Sequence, residues 1–278
     1  MHNLCIKSYP KLNIFLQILN RRDDGFHTLA SRFVLAKGAL FDTIHIQSDN
    51  AFNIEGDFGC EMPKNTIYKA IFALKEVLKK RLNETKQNST LSLIDILAIL
   101  ENLHIIVEKK IPKGAGLGGG SSNAGSVINA ICEYFALQLS NAEILHIAQK
   151  SGADVAFFIY RYESANVSGI GEVVEKFDEK DMAFEIFTPT IACDTPLVYK
   201  TFDTMIAQNT IQYANTTQAN KLFTLKSDEI LRANKKENLN GLYIPALHAY
   251  KELAHIAQSL GNEWFFSGSG SSFFRLAQ

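Results

Sequence analysis

The stretch Lys110-Ile111-Pro112-Lys113-Gly114-Ala115-Gly116-Leu117-Gly118-Gly119-Gly120-Ser121-Ser122-Asn123 decides how the rest of this chain is read. Ahead of it, Leu103 to Val107 is apolar and β-branched, the composition of a strand. Behind it, Val127, Ile128, Ile131, Tyr134 and Phe135 recur at helical spacing. Between the two lie five glycines and then Ser121, Ser122 and Asn123, all good helix N-caps. Glycine supplies left-handed φ angles and lets a ligand approach without a Cβ in the way. A helix that starts after such a loop offers free N–H groups and the positive end of its dipole. Strand, glycine loop and helix N-terminus together suit a phosphate.

Gly114, Gly116 and Gly119 also satisfy the G-x-G-x-x-G dinucleotide pattern, which is weak alone. That fold needs an acidic residue at the end of the next strand, about 20 positions on. Glu133 lies near that distance but inside the helical pattern. No lysine follows the glycines, against a P-loop. No His-Arg-Asp or Asp-Phe-Gly segment occurs, against a protein kinase. A plain flexible loop fits poorly, because capping serines after so dense a glycine run imply a shaped concavity.

At 278 residues, 46% hydrophobic and 21% charged, the chain has the composition of a soluble globular protein of one large or two modest domains. A net charge of −1 provides no footprint for nucleic acid or an anionic membrane, and no protein partner is implied. Cys5, Cys60, Cys132 and Cys193 are scattered, which argues for a reducing cytoplasm and against structural zinc. No signal-peptide pattern or apolar run of about 18 residues is seen. The histidines form no H-E-x-x-H arrangement, so no protein-ligated metal is expected.

From Lys11 the chain alternates, with Leu12, Ile14, Leu16 and Ile18 on one face and Lys11, Asn13, Phe15 and Gln17 on the other, predicting a half-buried strand. Residue chemistry leaves Lys11 open between a solvated lysine and a functional one. Asp24-Gly25 is a tight-turn pair that leaves Phe26 and His27 at a hairpin lip. Strands are expected over Thr28–Leu35 and Thr43–Gln47. A helix follows Asn65, with Ile67, Ile71, Leu74 and Leu78 on one stripe. Residues 83–90 read as an exposed loop and 91–100 as an apolar, insertion-like piece. Ser140-Asn141-Ala142-Glu143 is a capping box, and Gly152 suits the end of that helix. Asp154 then stands against the apolar run Val155-Ala156-Phe157-Phe158, open between a cap and a functional carboxylate. Residues 209–220 are turn-like. One helix is expected through Leu247, Leu253, Ile256 and Leu260, then strand, glycine turn and strand from Trp264 to Phe274.

Pro112 through Ala124 resembles the phosphate loop of the GHMP kinases, the superfamily of galactokinase, homoserine kinase, mevalonate kinase and phosphomevalonate kinase. Three further segments resemble one branch of it in the same order: Pro10-Lys11-Leu12-Asn13 with Asp24-Gly25-Phe26-His27, then Gly152-Ala153-Asp154-Val155, then Ser267-Gly268-Ser269-Gly270. The resemblance implies a two-domain α+β fold, with an N-terminal domain (1–164) like domain 2 of ribosomal protein S5 and a ferredoxin-like C-terminal domain (165–278). It implies ATP-dependent phosphorylation, with magnesium carried by the nucleotide, of the 2-hydroxyl of 4-(cytidine 5′-diphospho)-2-C-methyl-D-erythritol in the non-mevalonate isoprenoid route.

Residue by residue, it implies that Asp154 takes the hydroxyl proton and Lys11 lies beside the reacting hydroxyl. Pro112, Lys113, Gly114, Ala115, Gly116, Leu117, Gly118, Gly119, Gly120, Ser121 and Ser122 would hold ATP phosphates, with Asn65 and Lys109 near the adenine. Asn65 also reads as an N-cap, and Lys109 as a solvated strand end. Asn13, His27, Thr195, Gly268 and Gly270 would contact the substrate. Phe26 and Tyr199 would stack on its cytosine; Tyr199 alone reads equally as a core aromatic. This sequence departs from the family at Phe26, where tyrosine is usual, at Ala156 in place of proline, and at Gly241, where Asn-Asp-Leu has become Asn240-Gly241-Leu242.

Overall fold

The computed structural model describes residues 3–84 and 93–277. In chain order the elements begin with β1 (Leu4–Ser8), β2 (Lys11–Arg21), β3 (His27–Leu35), β4 (Asp42–Ser48), β5 (Asn53–Gly56), α1 (Thr66–Glu84), α2 (Leu93–Leu100) and β6 (Leu103–Glu108). Next come α3 (Gly119–Tyr134), α4 (Asn141–Ser151), α5 (Val155–Tyr160), β7 (Ser164–Gly169), β8 (Val173–Lys176) and β9 (Phe184–Phe187). The chain continues through α6 (Thr195–Ala207), α7 (Thr216–Leu222), α8 (Ser227–Ala233), α9 (Lys236–Leu239), α10 (Tyr243–Ala249) and α11 (Lys251–Ser259), and closes with β10 (Phe265–Phe266) and β11 (Phe273–Leu276). Residues 85–92, which include most of the expected 83–90 loop and the start of the 91–100 piece, lie outside the described residues.

Two compact units form: Met1–Tyr9 with Leu40–Ile111 and Gly119–Arg161, and Pro10–Ala39 with Pro112–Gly118 and Tyr162–Gln278. This grouping interleaves the chain, whereas the sequence suggests two consecutive blocks. A division after residue 164 would run through β7, which pairs with β3 from Leu29↔Gly169 to Val34↔Ser164.

In the first unit the sheet order is β1-β4-β6-β5, antiparallel except for the parallel β5–β6 pair. Alternation along β4 and β6 buries Ile44, Ile46 and Ile105 completely. The α1 stripe of Ile67, Ile71, Leu74 and Leu78 is buried as the 3.6-residue period requires. α3 and α5 approach closely at Gly125, where a Cβ would stand 2.4 Å from Cβ of Phe158. Ser140 caps α4 through the expected capping box, and Glu143 of that box also takes a two-pronged bond from Arg81 on α1, at 2.7 and 2.6 Å.

Chiefly the Arg81 bond, then those from Ser140, holds the Glu143 carboxyl down at about 2 against an ordinary 4.5. A depressed carboxyl pKa contributes stability above its unfolded value and loses it as pH falls through the folded one. Glu143→Gln is therefore expected to lower the melting temperature at pH 7 by about 2–4 °C, the response to roughly 1 kcal/mol. It should also flatten the acid limb between pH 4.5 and 2. Melting curves of both proteins across that range check it; parallel curves would refute it.

The second unit holds an antiparallel sheet β2-β3-β7-β8 and a small antiparallel sheet β10-β11-β9. β2 is not half-buried as its alternation suggested. Lys11, Leu12, Asn13, Ile14 and Phe15 are all buried. The register shifts between Asn13 and Phe15, a bulge that interrupts the two-residue period, and Phe15 meets Phe223 with ring centroids 5.7 Å apart. The single helix expected through Leu260 is two, broken at Tyr250, whose hydroxyl accepts a bond from the Asp194 N–H at 2.7 Å. The turn-like 209–220 segment contains the start of α7, capped by Asn215.

A fully buried arginine, Arg32 on β3, ties this unit together. Its Nε donates to Asn166 Oδ1 at 2.6 Å, its Nη2 to Phe223 O at 3.0 Å, and its Nη1 lies 3.6 Å from Glu179 Oε1. Burial pulls the guanidinium down to about 10, opposed by Glu179, so it stays charged at neutral pH.

Candidate active site

The glycine loop is built on an alternation. Gly114, Gly116 and Gly118 have φ of +62°, +73° and +67°, while Ala115 and Leu117 between them are buried. Left-handed glycines reverse the chain after each apolar anchor, which a residue with a Cβ does at a cost. Four successive carbonyls are tied inward: Gly114 O accepts from Cys193 N (2.8 Å), Ala115 O from Ser272 N (3.1 Å), Gly116 O from Ser267 Oγ (3.1 Å) and Leu117 O from Lys11 N (3.0 Å). Each carbonyl so held is one fewer negative dipole free to face an anion. The second glycine turn is interlocked with the first. A Cβ on Gly116 would stand 2.0 Å from Ser267 O, and one on Gly268 2.8 Å from Gly116 O. Pro112 and Lys113 are exposed at the loop entry, and Gly270 is buried at φ +95°.

The helix begins at Gly119, two residues before the predicted caps, so Ser121, Ser122 and Asn123 lie inside its first turns. The left-handed run ends at Gly118, and the last two residues of the trio bond elsewhere. Ser122 is buried and donates to Tyr9 O at 2.5 Å. Asn123 Nδ2 donates to Asp42 Oδ2 at 2.8 Å and to Ser8 Oγ at 3.1 Å. Asp42, fully buried, is the hub of this half. Its Oδ1 accepts from the backbone of Lys110 (2.6 Å) and Ile111 (2.8 Å), and its Oδ2 pairs with the Lys109 ammonium. Lys109 is thus an ion-paired anchor for the loop's entry, rather than a solvated strand end. Gly120 is exposed at the helix start, and Ser121 Oγ lies 3.7 Å from where a Cβ on Gly152 would be.

Asn65 is buried and accepts a bond from Ile67 N at 2.8 Å, the cap geometry its sequence position suggested. Asp154 occupies the residue before α5 but makes no cap bond, so the cap reading of this carboxylate does not hold. In the second unit, Lys11 is buried with its ammonium bonded to Asn13 Oδ1 and set 4.6 Å from the Phe33 ring centroid. Asn13 is oriented in turn by donating to Ser31 Oγ at 2.9 Å, which fixes its amide with oxygen toward the lysine.

The hairpin places Phe26 at its tip, 59% exposed, with Gly25 at φ +85° and Asp24 Oδ1 accepting from Phe26 N at 3.1 Å. His27 next to it is buried. Its Nε2 lies 2.7 Å from Asp203 Oδ1, and its ring stands 5.1 Å from Tyr199 and edge-on to Phe202 at 5.7 Å. The structure therefore brings His27 and Tyr199 together. Thr195, one turn earlier on α6, bonds Ser269 Oγ at 2.7 Å and belongs with the second glycine turn. Asp42 and Asp203 were missed by sequence reasoning, whereas Ser267 stands in the quoted glycine motif and its bond to Gly116 O is new. Asp203 follows Tyr199 at the i+4 helical spacing, which is a usable signal; Asp42 carries none, because it acts on backbone N–H groups.

Strand β6, the glycine run and helix α3 from Gly119 follow one another along the chain, the order that the resemblance to the GHMP kinases implies. The GHMP kinases N terminal domain family matches residues 65–162. The fold is shared with the mevalonate kinase of Methanococcus jannaschii, at a TM-score of 0.55 and 15% identity over 99% of this chain and 91% of that one. Nearer relatives narrow the class. The chain is 40% identical over 272 residues to the 4-diphosphocytidyl-2-C-methyl-D-erythritol kinase of Helicobacter acinonychis, covering 96% of this chain and 94% of that protein. It is 38% identical over 275 residues to the enzyme of the same name from Sulfurimonas denitrificans, covering 98% and 96%. A crystal structure of 4-(cytidine 5′-diphospho)-2C-methyl-D-erythritol kinase matches with a TM-score of 0.70 and 26% identity, over 99% of this chain and 90% of that one. The chain belongs to the 4-diphosphocytidyl-2-C-methyl-D-erythritol kinase family.

Proposed function

We propose that this protein transfers the γ-phosphoryl group of ATP to the 2-hydroxyl of 4-(cytidine 5′-diphospho)-2-C-methyl-D-erythritol, a step of non-mevalonate isoprenoid synthesis in the cytoplasm. The observation that carries this reading is similarity to kinases of that name along almost the whole chain. No helix among the described residues is long and apolar enough to cross a membrane.

Phosphoryl transfer depends on positioning and charge neutralisation more than on covalent help. The amides of the glycine loop and the dipole of α3 hold the phosphates, and Asn65 and Lys109 are the residues the family resemblance assigns to the adenine. Magnesium, when bound, neutralises phosphate charge and keeps most of its waters. Ser121 is the serine hydroxyl suited to it, since that of Ser122 is buried on Tyr9 O. Asp154 accepts the proton of the attacking hydroxyl. Lys11, oriented by Asn13, steadies the negative charge that develops. Phe26 and Tyr199 stack on the cytosine, His27 bonds its edge, and Thr195, Gly268 and Gly270 border the substrate phosphates. Base stacking on an aromatic is worth roughly 1–3 kcal/mol, enough to select a nucleotide handle.

The test is ADP release with the cytidine substrate beside galactose, homoserine and mevalonate. Turnover with the cytidine compound and not with the others is expected; a preference for any of the three would overturn the assignment.

A further inference from the structure

Asn240 lies in the segment where the family resemblance is imperfect, Asn240-Gly241-Leu242, to which sequence reasoning assigns no role. Its side chain is buried and fully engaged. Nδ2 donates to Phe266 O at 3.0 Å and to Gly268 O at 2.9 Å, while Oδ1 accepts from Leu242 N at 2.9 Å. The same segment is stitched to β2: Asn240 forms a parallel bridge with Leu16, and Gly241 N donates to Leu16 O at 2.8 Å. The Asn240 side chain and the main chain of 240–241 thus tie the second glycine turn to the strand that carries Lys11 and Asn13.

That turn faces the phosphate loop directly. Ser267 Oγ accepts from Asn13 N at 3.3 Å and donates to Gly116 O at 3.1 Å. Gly270 N donates to Ser267 O at 3.0 Å and Ser272 N to Ala115 O at 3.1 Å, so two of the four tied carbonyls hang on this turn. A buried amide with both donor hydrogens and its acceptor matched holds its partners in one arrangement, because any other leaves a buried carbonyl without a donor.

We propose that Asn240 is a positioning residue for nucleotide binding, which sets the Ser267–Ser272 segment and through it the tied-back carbonyls of Ala115 and Gly116 in the glycine loop. The inference rests on reading that loop as the ATP phosphate site. It does not depend on the identity of the acceptor. The departure at Gly241 leaves the mechanism intact, since this residue contributes its N–H and a Cβ there would make ordinary contacts of 3.5 Å or more.

Asn240→Asp tests it. The shape and the Oδ1 acceptor for Leu242 remain, but both donated bonds are lost and an anionic oxygen faces two carbonyls. ADP affinity by titration calorimetry is expected to fall about 10-fold, with KM for ATP rising in step and KM for the cytidine acceptor within about twofold. A merely structural asparagine would lower the melting temperature and leave ADP affinity of the folded protein unchanged, and that result overturns the proposal. Should Asn240→Asp fail to fold, Ser267→Ala carries the test by cutting the same path one residue later. Wild-type ADP affinity in Ser267→Ala would then refute it. Direct ADP binding separates the two readings: loss of ADP affinity without any turnover of the cytidine compound condemns the substrate assignment and leaves this one standing.

Discussion

Asp154→Ala is expected to lower turnover of the cytidine substrate by at least about 100-fold, the low end for removal of a general base, with the fold retained. A carboxylate that capped α5 would contribute about 1 kcal/mol to stability, and alanine would lose it. Asp154 precedes α5 and makes no such bond. It is also partly accessible, while the apolar residues after it, Val155 to Ile159, are buried and untouched by the substitution. A hundredfold drop in kcat, measured on variant protein whose circular dichroism shows it folded, is the predicted result. A variant that turns over at close to the normal rate would remove Asp154 from the chemistry.

The second large effect is on stability. Arg32→Met should destabilise the protein by about 3–5 kcal/mol, because it strands the nearly buried Glu179 carboxylate without its counter-charge. It also leaves Phe223 O and Asn166 Oδ1 without their guanidinium donors. The serine bonds to Glu179, from Ser227 N at 2.8 Å and Ser227 Oγ at 2.7 Å, soften the loss but bring no charge. Urea unfolding measures it, and adding Glu179→Gln to Arg32→Met should recover part of the difference. A single-variant loss under about 1 kcal/mol would mean that the pair is solvated in practice.

The parts of this protein that could be read in advance are those where one residue type answers to one local constraint. The left-handed positions 114, 116 and 118 demand glycine, so the loop announces itself. The α1 stripe and the Ser140 capping box follow from helical geometry alone. What escaped reading depends on partners distant in sequence. Asp42 serves backbone groups at 110 and 111 and the side chains of 109 and 123. The helix opens at Gly119 because Ser122 and Asn123 are drawn to Tyr9, Ser8 and Asp42, where local propensity would have made them caps. β2 looked half-buried because a bulge and the packing of Phe15 on Phe223 leave no trace in its alternation. The interleaving of the two units is likewise a product of pairing, through β3 and β7, that no composition shift records.

The tied carbonyls of the glycine loop also bear on how the protein comes to exist. Their donors arrive at residues 11, 193, 267 and 272, and the Ser267–Gly116 bond alone spans 151 positions. Closing such long segments is entropically slow and is rewarded only when both ends are in place. On the ribosome, therefore, the loop is synthesised before the midpoint of the chain yet cannot take its final form until the last β-hairpin has emerged. On the proposed reading of this loop as the ATP phosphate site, a protein truncated before residue 267 should gain no thermal protection from ADP.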